Sequence, residues 1–282
     1  MERIEITVEN ASNTKIRDYL TKRLGFSASL IGKVKYDNVL LNGVPVHMRA
    51  LVNTGDTIEV IFPEENSECV EPMDISIDIL YDDDAVLVVY KPTNMPIHPS
   101  IGNSLPTLAN AVRAYIGKPF VFRAITRLDR DTSGIVLIAK DHLSSALLSR
   151  DMKNGEIKKT YVARVVGVPS PHIGRIQAPI EREAPNSIKR IVRPDGKEAI
   201  TDYEVLSTDE NGNALVKINL ITGRTHQIRV HMAYIGHPLL YDFLYGDAVE
   251  GEIYSLECCA LEFKHPITKE ILKITTGKAP KE

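Results

Sequence analysis

The sequence predicts an α+β protein: a domain with a large mixed, mainly antiparallel sheet flanked by helices, preceded by a small α+β domain. Three observations predict it. Short apolar runs of strand length dominate from Ile79 onward, with only a few stretches of helical spacing between them. The first 62 residues carry their own separate pattern of strand, two helices, hairpin and strand. Between the two lies residues 63–78, a stretch rich in Glu and Asp that contains Pro63 and Pro72 and reads as an acidic linker. The expected organisation is therefore 1–62, linker 63–78, and 79–282.

In the leading unit, Ile4–Val8 reads as a strand. Asn13 or Thr14 can cap a helix beginning near Lys15, whose apolar positions Ile16, Tyr19, Leu20 and Leu24 follow helical spacing until Gly25 stops it. A second helix is expected from about Ser27 through Val34. Val39-Leu40-Leu41, the turn Asn42-Gly43 and Val44-Pro45-Val46 read as a tight hairpin, and Thr57–Phe62 as a closing strand.

In the larger unit, Ala85–Tyr90 is a continuous apolar run expected to be buried on both faces. It leads into the proline-rich loop Lys91–Pro99. Thr107 to about Ile116 is helical in pattern, and Gly134–Lys140 is a second buried strand. His142 to about Lys153 reads as a helix stopped at Asn154-Gly155. Thr160–Val166, Thr201–Leu206 and Ala214–Leu220 are strands. After Thr222-Gly223 turns the chain, Thr225 can cap a helix on which Ile228, His231, Met232 and Ile235 share one face, with Gly236 and Pro238 as the stop.

Composition excludes several classes. In the 282 residues, hydrophobic content of 43% and charged content of 25% are ordinary for a globular protein. No apolar run approaches the roughly 18 residues of a membrane span, and the charged start Met1-Glu2-Arg3 does not resemble a signal peptide. Cys69, Cys258 and Cys259 are odd in number, two are adjacent, and none forms a C-x-x-C spacing. Reduced thiols in a cytoplasmic protein are expected. No P-loop, dinucleotide fingerprint or metal-ligand cluster is present in the sequence, so no cofactor is expected. The net charge of −3 is uneven: the segment Glu64–Asp84 carries nine acidic and no basic residues, and setting it aside leaves +6. Lys15, Arg17, Lys22, Arg23, Lys33 and Lys35 face only Asp18 across residues 15–35, and residues 149–197 hold eleven basic residues against five acidic ones. Such clusters are either a solvated surface or a phosphate-binding face.

Three stretches can carry chemistry. In Arg127-Leu128-Asp129-Arg130-Asp131-Thr132-Ser133-Gly134, Asp129 lies between two cations, which would keep it ionised on a loop that offers it to a substrate. Asp131-Thr132-Ser133-Gly134 has the chemistry of a turn. By composition alone this is a charged loop. In Lys158-Lys159-Thr160-Tyr161, the tyrosine is either core or a platform on which a base stacks while the lysines meet phosphate. In Thr222-Gly223-Arg224-Thr225-His226-Gln227-Ile228-Arg229-Val230-His231-Met232, the two histidines stand five residues apart and point about 140° away from each other on a helix. They are a poor pair for one metal and read as structural or hydrogen-bonding. Arg229 is either solvated or paired with a buried carboxylate brought from elsewhere.

These motifs carry two resemblances. The two basic helices, the V-x-L-N-G-x-x-V hairpin and the G-D-x-I-x-V strand of residues 1–62 resemble the RNA-binding domain named after the small-subunit ribosomal protein S-four. The resemblance implies phosphate contacts from Lys22, Arg23, Lys33 and Lys35. R-L-D-R-D-T-S-G, K-K-T-Y-V-A and T-G-R-T-H-Q-I-R-V-H-M, in that order, resemble the motifs of the RluA-type RNA pseudouridine synthases. The K-P-T-N-M-P-I-H-P loop and I-G-H-P-L-L-Y-D at 235–242 agree, so the likeness spans about residues 79–277.

That second resemblance implies a catalytic aspartate at Asp129, a base-stacking tyrosine at Tyr161, and Arg229 as the basic residue paired with the aspartate. Ile228 becomes an apolar contact of the active site. Arg127 becomes an RNA contact that fills the space of a flipped nucleotide. Thr126 stands where the family usually has histidine, which bears on local RNA contacts and not on the nucleophile. The implied substrate is a uridine in structured RNA, ribosomal RNA favoured and transfer RNA possible, turned over by a cytoplasmic monomer with no membrane partner. A non-catalytic RNA-binding assembly factor and a glycoside hydrolase are the rival classes. Asp129 and Arg229 together speak against the first, and the lack of a second acidic partner speaks against the other.

Overall fold

The computed structural model describes residues 2–34, 38–62, 70–99, 106–117, 120–248 and 254–277. The leading unit runs β1 (Glu2–Thr7), β2 (Thr14–Lys15), α1 (Ile16–Asp18), which passes into a wider π turn over Tyr19–Arg23, then α2 (Ala28–Lys33), β3 (Val39–Leu41), β4 (Val44–Pro45), β5 (Leu51–Val52) and β6 (Thr57–Phe62). Its sheet order is β1-β6-β3-β4, and Ile4, Ile6, Ile58 and Val60 bury one face of it against Ile16 and Leu20. The expected side-chain cap at Asn13 or Thr14 is not used. Thr14–Lys15 instead pairs with Leu51–Val52, and the amides of Ile16 and Arg17 donate to the carbonyls of Ala50 (2.9 Å) and Met48 (3.0 Å). A neighbouring backbone thus satisfies the helix donors that a cap would otherwise serve. Ser27 does cap α2, accepting the Leu30 amide at 3.0 Å.

The larger unit continues with β7 (Asp78–Asp82), β8 (Val86–Lys91), α3 (Leu108–Ile116), β9 (Arg123–Ala124), β10 (Ser133–Ala139), α4 (His142–Lys153), β11 (Lys158–Val165), β12 (Ile173–Gln177), β13 (Ile180–Arg182), β14 (Arg190–Val192), β15 (Ile200–Thr208), β16 (Ala214–Leu220), α5 (Gln227–Tyr234), β17 (Leu256–Lys264) and β18 (Ile271–Thr275). Ten strands form one sheet, ordered β12-β15-β16-β11-β17-β10-β8-β7 with β18 beside β17 and β9 beside β10. Among the described residues only β10 and β17 run parallel, and the other ladders of this sheet are antiparallel. The fold is therefore the expected α+β arrangement on a mixed, mainly antiparallel sheet.

The two central strands explain their unbroken apolar sequence. Val86 and Val88 pack with Ile135 and Leu137 in the main core, while Leu87 and Val89 pack with Val136 and Ile138 against α3. Both faces of β8 and β10 are covered, so alternation has nothing polar to show. The capping box of Thr107 with Asn110 starts α3, and Gly117 ends it in a left-handed turn.

Residues 70–77 are not a free spacer. Val70, Ile75 and Ile77 pack on the α3 core, the Asn110 amide donates to the Glu71 carbonyl at 2.7 Å, and Arg113 donates to the Val70 carbonyl. Burial of the alternate apolar residues outweighs the acidic composition that suggested a linker; residues 63–69, including Cys69, lie outside the described residues. The leading unit rests on α4: Phe62 stacks on His142 with ring centroids 4.5 Å apart, Ala146 joins the small core, and Arg150 donates to the Arg23 carbonyl at 2.6 Å. Gly25 lies against this helix, and a Cβ there would stand 2.9 Å from the Ala146 carbonyl.

Candidate active site

The loop between β9 and β10 is pinned at both ends. Buried Thr126 accepts the Leu137 amide on its hydroxyl at 2.9 Å. Thr132 donates its amide to the Asp129 carbonyl at 3.2 Å and meets the Tyr254 hydroxyl at 3.2 Å. Gly134 then enters β10 at φ +117°, where a Cβ would overlap the Cys258 backbone of β17, so only glycine fits the parallel crossing. Beneath the loop, the fully buried Lys91 ammonium donates to the carbonyls of Pro92 (2.8 Å), Met95 (2.9 Å) and Arg130 (2.9 Å). Burial brings its pKa down to about 8, against the pull of the Asp131 and Asp129 charges. Asp131 pairs with the Arg130 side chain at 2.9 Å.

Asp129, its side chain 31% exposed, faces a cleft of about 1470 Å³. Thr126, Arg127, Lys158, Lys159, Tyr161, His226, Ile228 and Arg229 line the same cleft, so three distant segments meet there. Arg127 is exposed; its charge adds to burial in lowering the pKa of His98, another lining residue. Tyr161 is buried in the core cluster as well as lining the cleft. Burial, with the Cys258 thiol and the Asp129 charge, pushes its hydroxyl pKa well up, so it stays protonated. Ile228 is buried on α5.

Thr225 is not the cap of α5. The chain enters the helix through His226, whose φ of +57° is left-handed and whose side chain caps nothing. Buried Gln227 closes the turn instead: its carbonyl accepts from the Arg224 amide (2.9 Å) and the Thr222 hydroxyl (2.9 Å), and its amide donates to Ile200 O (3.0 Å) and Thr201 Oγ1 (2.9 Å). A non-glycine residue held left-handed costs about 1–3 kcal/mol and persists only where its surroundings over-determine it. His226 Nδ1 lies 2.7 Å from the Tyr245 hydroxyl, and Nε2 lies 3.9 Å from Asp129 Oδ2. His231 is structural, its ring nitrogens 2.9 Å from Thr201 Oγ1 and 2.9 Å from the Ala178 carbonyl.

Arg229 corrects one expectation. Its Nε and Nη2 donate to Asp242 at 2.7 Å each, a bidentate pair with both side chains buried, and no ion pair to Asp129 is formed among the described residues. The guanidinium also lies over the rings of Tyr254 (4.3 Å) and Tyr245 (4.9 Å). Burial opposes its charge, yet the Asp242 hydrogen bonds and the charges of Asp242 and Asp129 hold its pKa above the ordinary value. The partner is the buried carboxylate from elsewhere that the residue pattern alone allowed. It was legible only as the last residue of I-G-H-P-L-L-Y-D; Tyr245 and Tyr254 carried no pattern at all. Lys91 was visible inside the K-P-T-N-M-P loop without a role.

Lys22, Arg23 and Lys33 are exposed on the leading unit and lie outside the cleft, and Lys35 falls outside the described residues. Lys22 stands 3.6 Å from Asp18, and Arg23 donates to the Asn10 carbonyl at 3.1 Å. Arg150 ties the Arg23 backbone to α4, whose last residues, Met152 and Lys153, line the cleft. Among the described residues no helix is long and apolar enough to cross a membrane.

Arg229, held by buried Asp242, lines one broad cleft together with the loop carboxylate Asp129 and the buried Tyr161. The profile of the RNA pseudouridylate synthase family matches residues 85–234. The chain is 38% identical over 258 residues to the uncharacterized RNA pseudouridine synthase YjbO of Bacillus subtilis (strain 168), covering 89% of this chain and 90% of that protein. It is 33% identical over 270 residues to the ribosomal large subunit pseudouridine synthase D of Xanthomonas campestris, covering 88% and 80%. The solved structure of human RNA pseudouridylate synthase domain containing 1 matches with a TM-score of 0.61 at 25% identity, over 71% of this chain and 83% of that one. The chain belongs to the RNA pseudouridine synthases, of the RluA type, and is an isomerase.

Proposed function

We propose that this synthase isomerises specific uridines of structured ribosomal RNA, with Asp129 as the one catalytic carboxylate and with no cofactor. The observation that carries the reading is the meeting of Asp129, Tyr161 and Arg229 along one cleft from three distant segments. The reaction breaks the bond from N1 to C1′ of uridine and joins C5 to C1′. C5 loses a proton, N1 gains one, and no electrons are exchanged with a third party. One carboxylate can act as nucleophile, or as the base that takes a sugar proton.

In this reading Tyr161 meets the flipped base, Ile228 contacts it through apolar surface, and Arg127 fills the gap left in the RNA. Residues 1–62 form an S-four-type RNA-binding domain whose Lys22, Arg23, Lys33 and Lys35 meet phosphates. The likeness to a ribosomal large subunit synthase supports ribosomal RNA over transfer RNA. The test is a pseudouridine map of RNA from a strain lacking the protein, treated with the purified enzyme and no additive. Wild type should restore discrete sites and Asp129→Asn none. Equal activity of the two proteins would remove Asp129 from its role, and sites confined to transfer RNA would remove the ribosomal substrate.

A further inference from the structure

We infer that His226 is a positioning residue for Asp129: a neutral imidazole, fixed in one tautomer by Tyr245, that donates its Nε2–H to the Asp129 carboxylate. This rests on Asp129 being the catalytic group.

The tautomer follows from the bonds around Tyr245. Its hydroxyl oxygen accepts the Arg190 amide at 2.9 Å and lies 2.7 Å from His226 Nδ1. Among the described residues Nδ1 is the acceptor placed to take the tyrosine's own proton. Nδ1 then carries no hydrogen, and a neutral ring must carry it on Nε2, the nitrogen that faces Asp129 Oδ2 at 3.9 Å. Burial pushes the Tyr245 pKa up to about 12, so the hydroxyl keeps the proton it donates.

The groups facing the imidazole favour its neutral form. Burial lowers its pKa first, and the charges of Arg229 and Arg190 act in the same direction, while those of Asp129 and Asp242 oppose them. The separation of 3.9 Å is longer than a hydrogen bond, and such contacts in substrate-free enzymes tighten when the substrate closes the site.

The scaffold behind His226 is built for this aim. Asp242 Oδ1 accepts the Leu244 and Tyr245 amides at 3.0 and 3.2 Å, which fixes the turn bearing Tyr245. Arg229, clamped by the same carboxylate, lies over the Tyr245 ring, and the His226 ring meets that ring edge-on with centroids 5.7 Å apart. His226 enters α5 with a left-handed backbone, φ +57°, and its Nε2 lies 3.9 Å from Asp129 Oδ2.

Nitrogen-15 NMR of histidine-labelled full-length protein reads the tautomer directly. At neutral pH the His226 signals should show Nδ1 unprotonated and Nε2 protonated, and Tyr245→Phe should lose that preference. Steady-state turnover on an RNA that the enzyme modifies gives the second readout. His226→Ala should lower kcat about 10²-fold, the scale of one lost preorganised donor, with KM within about two-fold of wild type. His226→Gln, which keeps an N–H donor but cannot carry a proton away, should recover at least about ten-fold of that loss. An Nδ1-protonated ring, or His226→Ala with wild-type kcat, would overturn the inference. So would His226→Gln as inactive as His226→Ala, which would make the histidine a proton carrier. Failure of Asp129 as the catalytic group is told apart by Asp129→Asn, which would then stay active whatever the tautomer.

Discussion

Replacing Asp242 by Ala tests how the site holds its charge. Asp242 is fully buried and bonded twice to Arg229, whose side chain is 5% exposed. Removing one partner of a buried pair leaves the other charge without compensation, which costs about 3–5 kcal/mol. Asp242 also accepts the amides of Leu244 and Tyr245, so its loss falls near about 5 kcal/mol. Arg229→Met leaves a carboxylate that still holds those amides, and its cost falls near about 3 kcal/mol. For a chain of this size each kcal/mol moves Tm by roughly 2–4 °C, which places Asp242→Ala about 10–20 °C below wild type. The double variant Arg229→Met with Asp242→Leu fills the space with apolar groups and should return to within about 2 kcal/mol of wild type, while remaining inactive. Calorimetry and urea titration compare the stabilities of the four proteins. A double variant no more stable than Asp242→Ala, or an Asp242→Ala shift under 2–3 °C by the same scale, would refute the reasoning.

Two further outcomes follow from the same structure. The unfolded Lys91 ammonium has the ordinary pKa of 10.5 and the folded one about 8, so between those values the unfolded chain binds more protons. Folding stability should therefore rise with pH across that window by up to about 3 kcal/mol more in wild type than in Lys91→Met, and equal slopes in urea titrations at pH 7.5 and 10 would reject it. The triple change of Lys22, Arg23 and Lys33 to Ala should flatten the dependence of log affinity for structured RNA on log salt by about 2–3, about 0.7–0.9 for each phosphate that is no longer neutralised. An unchanged slope would take residues 1–62 out of RNA binding.

What the sequence made legible follows the physical range of each signal. β8 and β10 were plain because both faces are buried, which writes a continuous apolar run into the chain. α3 and α4 were readable from their helical spacing and, for α4, from the Asn154-Gly155 stop; the structure adds side-chain caps at Thr107 and Asp141. The ladder of β2 with β5 was not readable, since two-residue strands exist only through the partner they meet. The same holds for residues 70–77, whose acidic composition hid three apolar residues that α3 covers. Asp129, Tyr161, Ile228 and Arg229, which the motifs single out, all line one cleft, but the partner of Arg229 is Asp242 and not the expected Asp129. Pairing between Arg229 and Asp242 is a tertiary event thirteen residues apart, across the end of α5, with no spacing rule to announce it. His226 was read as a helix residue because Thr225 looked like a cap; the network of Gln227 that replaces the cap comes from β15 and the preceding turn.

That misassigned pair carries a chemical lesson. A carboxylate bonded bidentately to a guanidinium has both oxygens occupied and is a poor nucleophile or base. By giving Arg229 to Asp242, the fold keeps the cation close enough to act on Asp129 through space without a bond to it. No hydrogen bond to the Asp129 carboxylate is formed among the described residues, and His226 Nε2 lies 3.9 Å from its Oδ2. The aspartate therefore faces the cleft with oxygens available to a substrate, while Lys91 and Thr132 fix the loop that presents it. In the proposed role of Asp129, the nearby charge and the freedom to react come from different residues. A different aspartate, Asp242, which is buried and outside the cleft lining, is what makes that division possible.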